Sequence, residues 1–353
     1  MKKILIYILL LAASAFFMPY PDARPLYAGE YRTITDMDDN SVEVPVNPQR
    51  IACMHAVSSN RIIILGGGNR LVLMMQPTPW AYKLFPEVKN VAIAKAPFTG
   101  YVEQLLNLKV DLVLYSPNPG EVKKYQEAGI KTACGFSLRK MPRTMDDFIY
   151  NFKRQVTFFG DLLGPDAQAK AKRYNEYFDE KIKKILAITS IIDKKDWPKV
   201  YYGGRSDNPL YSQGNSSVMQ WFTEVAGGNY LPGELTGNFC EVNMEKILSW
   251  DPDIILMSGA GDAFENIGKN SSWATTRAVK SGKIYKIPVG TFLWEQAGGE
   301  SVLLAVYMAK LFHPDQFKDW DMIKEMKTFF SVVYGKDITD EDAERILKCL
   351  PPL

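Results

Sequence analysis

Histidine, the side chain most often used in acid–base catalysis, is scarce in this chain of 353 residues. Only two histidines occur, His55 and His313, so a zinc centre built from three imidazoles is excluded by counting. A hydrolase elbow of the form G-x-S-x-G is absent, since Gly214-Asn-Ser-Ser-Val has no closing glycine. The run Gly66-Gly-Gly lacks the lysine and the spacing of a phosphate-binding loop. The sequence therefore predicts no catalytic residues and no enzyme, with an exported hydrolase as the distant alternative.

Two arginines lie where a ligand could meet them. Arg205 stands in a glycine-containing loop directly after the predicted strand that begins at Lys199. Its guanidinium could pair with carboxylate, catecholate or hydroxamate oxygens in a bidentate geometry that a lysine lacks. Arg139 is a second candidate for the same contact, although an ion pair on the surface would explain either residue. These arginines predict an anionic ligand.

Aromatic side chains after strands could form the walls of the same site. Trp294 follows the predicted strand Ile284–Ile287, and a flat indole covers an organic ring with little loss of entropy. His55 follows the first sheet strand and could donate a hydrogen bond or bind the metal of a chelate. The predicted ligand-binding set is His55, Trp80, Tyr115, Arg139, Tyr202, Arg205, Tyr211 and Trp294.

The cargo is not expected to be a bare metal ion. First-row metals held by protein alone need several His, Asp, Glu or Cys groups that converge, and this chain offers one histidine near the predicted site. A chelate brings most of its own donor atoms, so we predict no metal site and no cofactor of the protein's own. No CxxC motif is present, and both free thiols and disulfides are compatible with the four cysteines, Cys53, Cys134, Cys240 and Cys349.

The N-terminus predicts export. Lys2 and Lys3 precede the apolar run Ile4–Met18, which is short for a membrane span and typical of a secretory signal. We predict a signal peptide over residues 1–28, with a retained anchor as the alternative. Lys+Arg 42 against Asp+Glu 40 gives a net charge of +2, so no nucleic-acid partner is expected.

The remaining chain predicts two α/β lobes. A hairpin is followed, from Arg50 onward, by short apolar strands that alternate with helices, a pattern typical of parallel sheets covered on both faces. Two long helices, Met145–Leu163 and Ala167–Ile188, interrupt this alternation, which resumes at Lys199. We predict an N-terminal lobe at 29–143, a connecting backbone helix at 144–164, and a C-terminal lobe with the closing helices at 165–353.

The two lobes share a weak internal sequence repeat. Glu103 opens a helix and Asp111 directly precedes a buried strand in the first lobe. Glu245 and Asp253 take the same positions in the second lobe.

These paired segments, together with several others in the same order, resemble the solute-binding proteins of ABC importers in the helical-backbone class (class III), which carry ferric siderophores, haem or cobalamin. The other matching stretches are Ile34-Thr-Asp, Val44-Pro, Pro48-Gln-Arg-Ile, Ser212-Gln-Gly-Asn-Ser-Ser-Val, Ala226-Gly-Gly-Asn and the tail from Gly299 to Gly335. The resemblance spans about residues 31 to 347.

The resemblance implies a monomeric periplasmic carrier that captures a metal chelate, a ferric siderophore first of all, between its lobes and delivers it to an ABC permease. A corrinoid, haem, a nickel chelate or a receptor lobe that reuses the fold are the alternatives. The long helix implies that the lobes move little. Glu103 and Glu245 would contact the two permease subunits, although each also suits the positive end of its helix.

Overall fold

Two parallel β-sheets, one in each lobe, form the framework of the protein. The structure is a computed structural model that describes residues 30–95, 100–115, 119–137, 139, 141–204 and 207–353. The predicted signal peptide lies outside these residues. The two lobes and the long helix between them confirm the predicted fold class.

The first lobe begins with the predicted hairpin, β1 (Tyr31–Thr35) and β2 (Ser41–Pro45), which pair antiparallel. Asp36 organises the turn, because its Oδ1 accepts hydrogen bonds from the backbone N–H groups of Asp38 and Asn40 at 2.9 Å each. Its Oδ2 accepts from the backbone N–H of Cys134 at 3.0 Å. This buried carboxylate therefore ties the hairpin to the main sheet of the lobe.

That main sheet is parallel and has five strands in the order β5-β4-β3-β6-β7. Its central strand is buried along its whole length, as the continuous apolar pattern predicts. The strands are β3 (Ile51–Cys53), β4 (Leu71–Met74), β5 (Ala92–Ile93), β6 (Leu112–Tyr115) and β7 (Lys131–Cys134). The helices are α1 (Ala56–Ile62), α2 (Pro79–Leu84), α3 (Val102–Asn107) and α4 (Pro119–Glu127).

Two long antiparallel helices, α5 (Met145–Leu163) and α6 (Pro165–Thr189), connect the lobes. The bounds of α5 agree with the prediction, because its ends carry clear signals. Thr144 caps the start by accepting the backbone N–H of Asp147 at 3.1 Å, and Gly164 ends the helix at a φ of 103°. A Cβ at Gly160 would lie 2.7 Å from that of Ala171, so glycine lets the helices cross closely.

The second lobe repeats the pattern with a four-stranded parallel sheet in the order β10-β8-β12-β13. Its strands, including the small pair β9 and β11, are β8 (Lys199–Gly203), β9 (Tyr211–Ser212), β10 (Asn229–Tyr230), β11 (Cys240–Glu241), β12 (Ile254–Met257) and β13 (Ile284–Lys286). Its helices are α7 (Val218–Val225), α8 (Met244–Trp250), α9 (Ala263–Ile267), α10 (Arg277–Lys280), α11 (Ser301–Phe312), α12 (Met322–Phe329) and α13 (Asp340–Leu347).

One hydrophobic cluster runs through both lobes. It includes Leu114 of the first sheet, Phe159 of α5, Phe178 of α6 and Leu256 of the second sheet. Two smaller clusters lie within the single lobes. Because a shared core must stay packed, it opposes large movements of one lobe against the other.

A fully buried arginine reinforces this junction. Arg61 of α1 donates through Nε to Gln155 Oε1 of α5 at 3.2 Å and through Nη2 to the Ala297 carbonyl of the second lobe at 2.9 Å. Its guanidinium also lies over the rings of Phe152 and Tyr174, 4.8 and 5.3 Å from their centroids. These contacts join four separate parts of the chain at one side chain.

The C-terminal segment crosses back to the first lobe. Trp80 Nε1 donates to the Leu350 carbonyl at 2.9 Å, and Lys83 pairs with Asp342 at 2.8 Å. Beside the cleft, the Thr78 hydroxyl donates to the carbonyl of Gly290 at 2.7 Å. The lobes are thus linked on several sides.

We expect only a small movement of the lobes on ligand binding, since the continuous core, Arg61 and the C-terminal segment would all have to rearrange. Small-angle scattering with and without bound ligand should show a change in the radius of gyration of less than about 1 Å. A drop of several ångströms would instead indicate a hinge closure and contradict this reading of the connecting helices.

Within the described residues, none of the helices combines the length and apolarity that a membrane crossing requires. All four cysteines are free, with Cys53 and Cys134 in the core, where burial raises their thiol pKa values above the ordinary range.

Candidate ligand-binding cleft

Loops at the carboxyl ends of the two sheets enclose a cleft of about 580 Å³. This is where open parallel sheets bind ligands, and where the sequence places the site. The first lobe contributes residues that follow β3, β4 and β7, and the second contributes residues at or after the ends of β8, β12 and β13. Among the lining residues are Met54, His55, Met75, Thr78, Phe136 and Met141 from the first part of the chain, and Tyr202, Asp207, Gln213, Phe239, Ser258, Phe292 and Glu295 from the second.

Much of the wall is soft and apolar. Three methionines, Met54, Met75 and Met141, line it together with aromatic rings from both lobes. Thioether and aromatic groups are polarizable and adapt to irregular organic surfaces. The wall is therefore suited to an organic ligand with a large apolar surface.

His55 lies on the first-lobe side of the cleft, at the N-terminus of α1. Its ring stacks on Phe136, with 4.7 Å between centroids and 23° between planes. Burial lowers the pKa of His55 to about 4, so the imidazole is uncharged at neutral pH. An uncharged imidazole can donate or accept a hydrogen bond but brings no positive charge to the cleft.

The second-lobe floor is polar. Ser258 Oγ donates to Glu295 Oε1 at 2.5 Å, and the Gln213 side-chain amide donates to the backbone carbonyl of Glu295 at 3.3 Å. Burial raises the pKa of Glu295 to about 7. Tyr202 lies beside them, and burial raises its pKa well above the ordinary value, so it keeps its proton. The floor therefore gathers hydroxyl, amide and carboxyl groups that are nearly fully buried, and Ser258 and Gln213 are bonded to Glu295.

The structure places Trp80 and Trp294, both predicted as ligand contacts, in the core and not in the wall of the cleft. Trp294 is 0% exposed, and its Nε1 donates to Glu300 Oε2 at 3.0 Å. Trp80 is 1% exposed and held by the carbonyl of Leu350. Both indoles follow strands, but the short helical turns that carry them direct the rings inward.

The other predicted residues are distributed unevenly. Arg139 is exposed and lines a separate groove of about 1140 Å³ along α5. Tyr115 packs against the main core and is not among the lining residues found for the cleft. Tyr211 stacks on the cleft residue Phe239, with 6.0 Å between centroids. Arg205 lies outside the described residues. Of the predicted set, the structure thus brings His55 and Tyr202 directly to the cleft.

Glu295 and the methionines were not predicted as site residues. Glu295 directly follows Trp294 in the sequence Thr291-Phe-Leu-Trp-Glu-Gln. A single acidic residue in this aromatic loop is the sequence feature that could indicate a site residue, but the prediction selects the neighbouring Trp294.

The paired segments of the two lobes, each a helix followed by an aspartate and a buried strand, are structurally equivalent. Glu103 and Glu245 are both exposed in the first turns of α3 and α8. The two aspartates that follow each accept a backbone N–H from the adjacent parallel strand segment: Asp111 from Gln49 at 2.7 Å, and Asp253 from Lys199 at 2.9 Å. The two glutamates therefore occupy matching places on the two lobes.

The described residues contain no group of three or more His, Cys, Asp or Glu side chains that could hold a metal ion.

Comparison with known proteins agrees with this architecture. The profile of a family described as periplasmic binding protein matches residues 78–289. The molybdate-binding protein MolA of Haemophilus influenzae is 23% identical over 344 residues, which is 89% of this chain and 94% of MolA. The structure of MolA bound to molybdate has a TM-score of 0.79 at 20% identity, covering 87% of this chain and 99% of that one.

Two other solved structures have the same fold. CeuE of Helicobacter pylori, with Ni(II) bound, has a TM-score of 0.71 at 18% identity and covers 90% of this chain and 99% of its own. A protein of the Fe³⁺-hydroxamate transport system of Saccharomonospora viridis has a TM-score of 0.65 at 19% identity, covering 80% and 99%.

Proposed function

Since the chain belongs to the periplasmic binding protein family, we propose that its cleft captures an organic metal chelate, first of all a ferric siderophore. Family members are substrate-binding proteins that deliver a ligand to the permease of an ABC importer, and they are not enzymes. We also propose that residues 1–28 direct its export.

The observation that carries the chelate proposal is the size and chemistry of the cleft. A volume of about 580 Å³ suits a ligand of chelate size, and methionine and aromatic side chains form much of its wall. No lysine or arginine is among its lining residues in the described part of the chain. The apolar part of this wall supports an organic complex with a large apolar surface.

The described cleft does not contain the arginines on which the sequence prediction of an anionic ligand rests. That prediction depended on Arg205, which is not described, and on Arg139, which lines a different groove. The described cleft instead contains two carboxyl groups, those of Asp207 and Glu295. A neutral or cationic chelate is therefore the form that we propose, with His55 and Tyr202 as contacts.

An inorganic oxyanion is the main competitor, because MolA is described as binding molybdate. Small oxyanions are held by cationic side chains and converging N–H donors. The described cleft offers an uncharged His55 and carboxyl groups in a much larger space. A corrinoid, haem or a nickel chelate would suit the same wall and stay as alternatives to the siderophore.

The decisive experiment is to purify the protein from its native host and to record the mass spectrum and visible absorption of what is bound. A ferric siderophore should give a charge-transfer band and a matching mass, whereas haem and corrinoids give their own spectra. Molybdenum without an organic ligand would contradict the proposal. The mass of the mature chain in the same spectrum tests removal of residues 1–28.

A further inference from the structure

One buried carboxyl oxygen of a residue that lines the cleft lacks a partner among the described residues. Glu295 is 0% exposed, and its Oε1 accepts the hydroxyl of Ser258. Its Oε2 is buried and has no hydrogen-bond partner among the described residues. Buried acceptors are nearly always satisfied, so this exception needs a physical reason.

A second buried glutamate nearby provides the comparison. Glu300 is equally enclosed, but both of its oxygens are occupied. Its Oε1 accepts from the backbone N–H and the hydroxyl of Thr291 at 2.9 and 2.5 Å, and its Oε2 accepts from Trp294. Both carboxyl oxygens of Glu300 therefore have hydrogen-bond partners within the fold, whereas only one carboxyl oxygen of Glu295 has one. Of the two, only Glu295 is among the residues found to line the cleft.

Among the described residues, the side chains that contact Glu295 bring no positive charge to it. Ser258 and Gln213 are polar but uncharged, and Tyr202 keeps its proton. The other carboxyl in the cleft lining, Asp207, adds negative charge. A hydrogen bond made in such a water-poor place is stronger than one made at the surface.

Resting on the proposed function, we propose that Glu295 is a specificity-determining contact that accepts a hydrogen bond from a cationic or donor group of the chelate. The same carboxylate would repel anionic chelates and inorganic oxyanions, so the protein would select its cargo by charge. Ser258 positions the carboxylate through the bond to Oε1.

Two iron complexes with the same trihydroxamate coordination but different charge provide the test: ferrioxamine B, which carries a free ammonium group, and ferrichrome, which is neutral. Titration calorimetry at about pH 8 keeps the carboxyl ionised, since burial raises its pKa only to about 7. The mature wild-type protein should bind ferrioxamine B more tightly than ferrichrome. In Glu295→Gln the affinity for ferrioxamine B should fall about tenfold or more, with little change for ferrichrome.

Two further variants control for folding. Glu295→Asp keeps the charge and should keep the preference for the cationic complex. Glu300→Gln alters a buried carboxyl that the fold already satisfies, so it should lower the melting temperature without changing the preference.

Each outcome decides between the two proposals. If neither iron complex binds, the ferric-siderophore function is contradicted, and the role of Glu295 is lost with it. If both complexes bind but the wild type shows no preference, or Glu295→Gln retains it, the role of Glu295 is overturned while the function stands. A preference lost equally in Glu300→Gln would also overturn it, because the effect would then be structural.

Discussion

The protein should lose stability as the pH rises from about 4.5 to about 7. Glu295 and Glu300 are both fully enclosed, and burial raises the pKa of each to about 7. In the unfolded chain the same groups titrate near their ordinary value of 4.5. The folded state therefore binds more protons in this interval, so stability is greatest below the unfolded pKa and is lost as the pH passes through the folded one.

His55 opposes part of this loss. Its pKa is lowered from 6.5 to about 4, so the unfolded state binds the extra proton there, and stability from this group rises with pH over the interval. A shift of this size corresponds to about 3 kcal/mol per group. Two glutamates against one histidine leave a net loss of about 3 kcal/mol.

Urea unfolding over a series of pH values measures this directly. Glu300→Gln removes one of the two opposing glutamates and should make the profile between pH 4.5 and 7 nearly flat. Glu265→Gln is the matched control. Glu265 is exposed and pairs with Lys286, and this contact lowers the pKa of Glu265. This variant should leave the slope in this interval unchanged. A wild-type stability that rises between these pH values would contradict the prediction.

The sequence was informative where local chemistry decides the structure. The hairpin follows from alternation around a turn that Asp36 stabilises, and α5 from a threonine cap and a terminal glycine. The position of the cleft follows from the topology of parallel sheets.

The detailed composition of the cleft depends on long-range packing. Trp294 and Glu295 are neighbours in sequence, yet the indole turns toward Glu300 in the core while Glu295 lies at the cleft. Their order in the chain does not determine this division. Arg61 likewise joins segments that are far apart in sequence, and no local pattern indicates a buried arginine there.

The double variant Glu103→Ala/Glu245→Ala should bind the chelate normally but lose most of its uptake. Both carboxylates are exposed on equivalent helices, one on each lobe, and neither is among the residues that line the cleft. We propose that they contact the two permease subunits, one for each lobe. Because charges at the edge of an interface act mainly on the association rate and are screened by salt, the effect of removing them should be greatest at low ionic strength.

Uptake by cells or proteoliposomes that contain the permease should fall about tenfold or more, whereas calorimetric affinity for the chelate stays within about twofold. The matched control is Glu87→Ala/Glu341→Ala, which removes two other exposed glutamates and the same total charge. If docking depends on position, the control should transport normally, since bulk charge is the same in both variants. Normal uptake by Glu103→Ala/Glu245→Ala would leave these carboxylates only a local role at their helix N-termini, worth about 0.3–1 kcal/mol each.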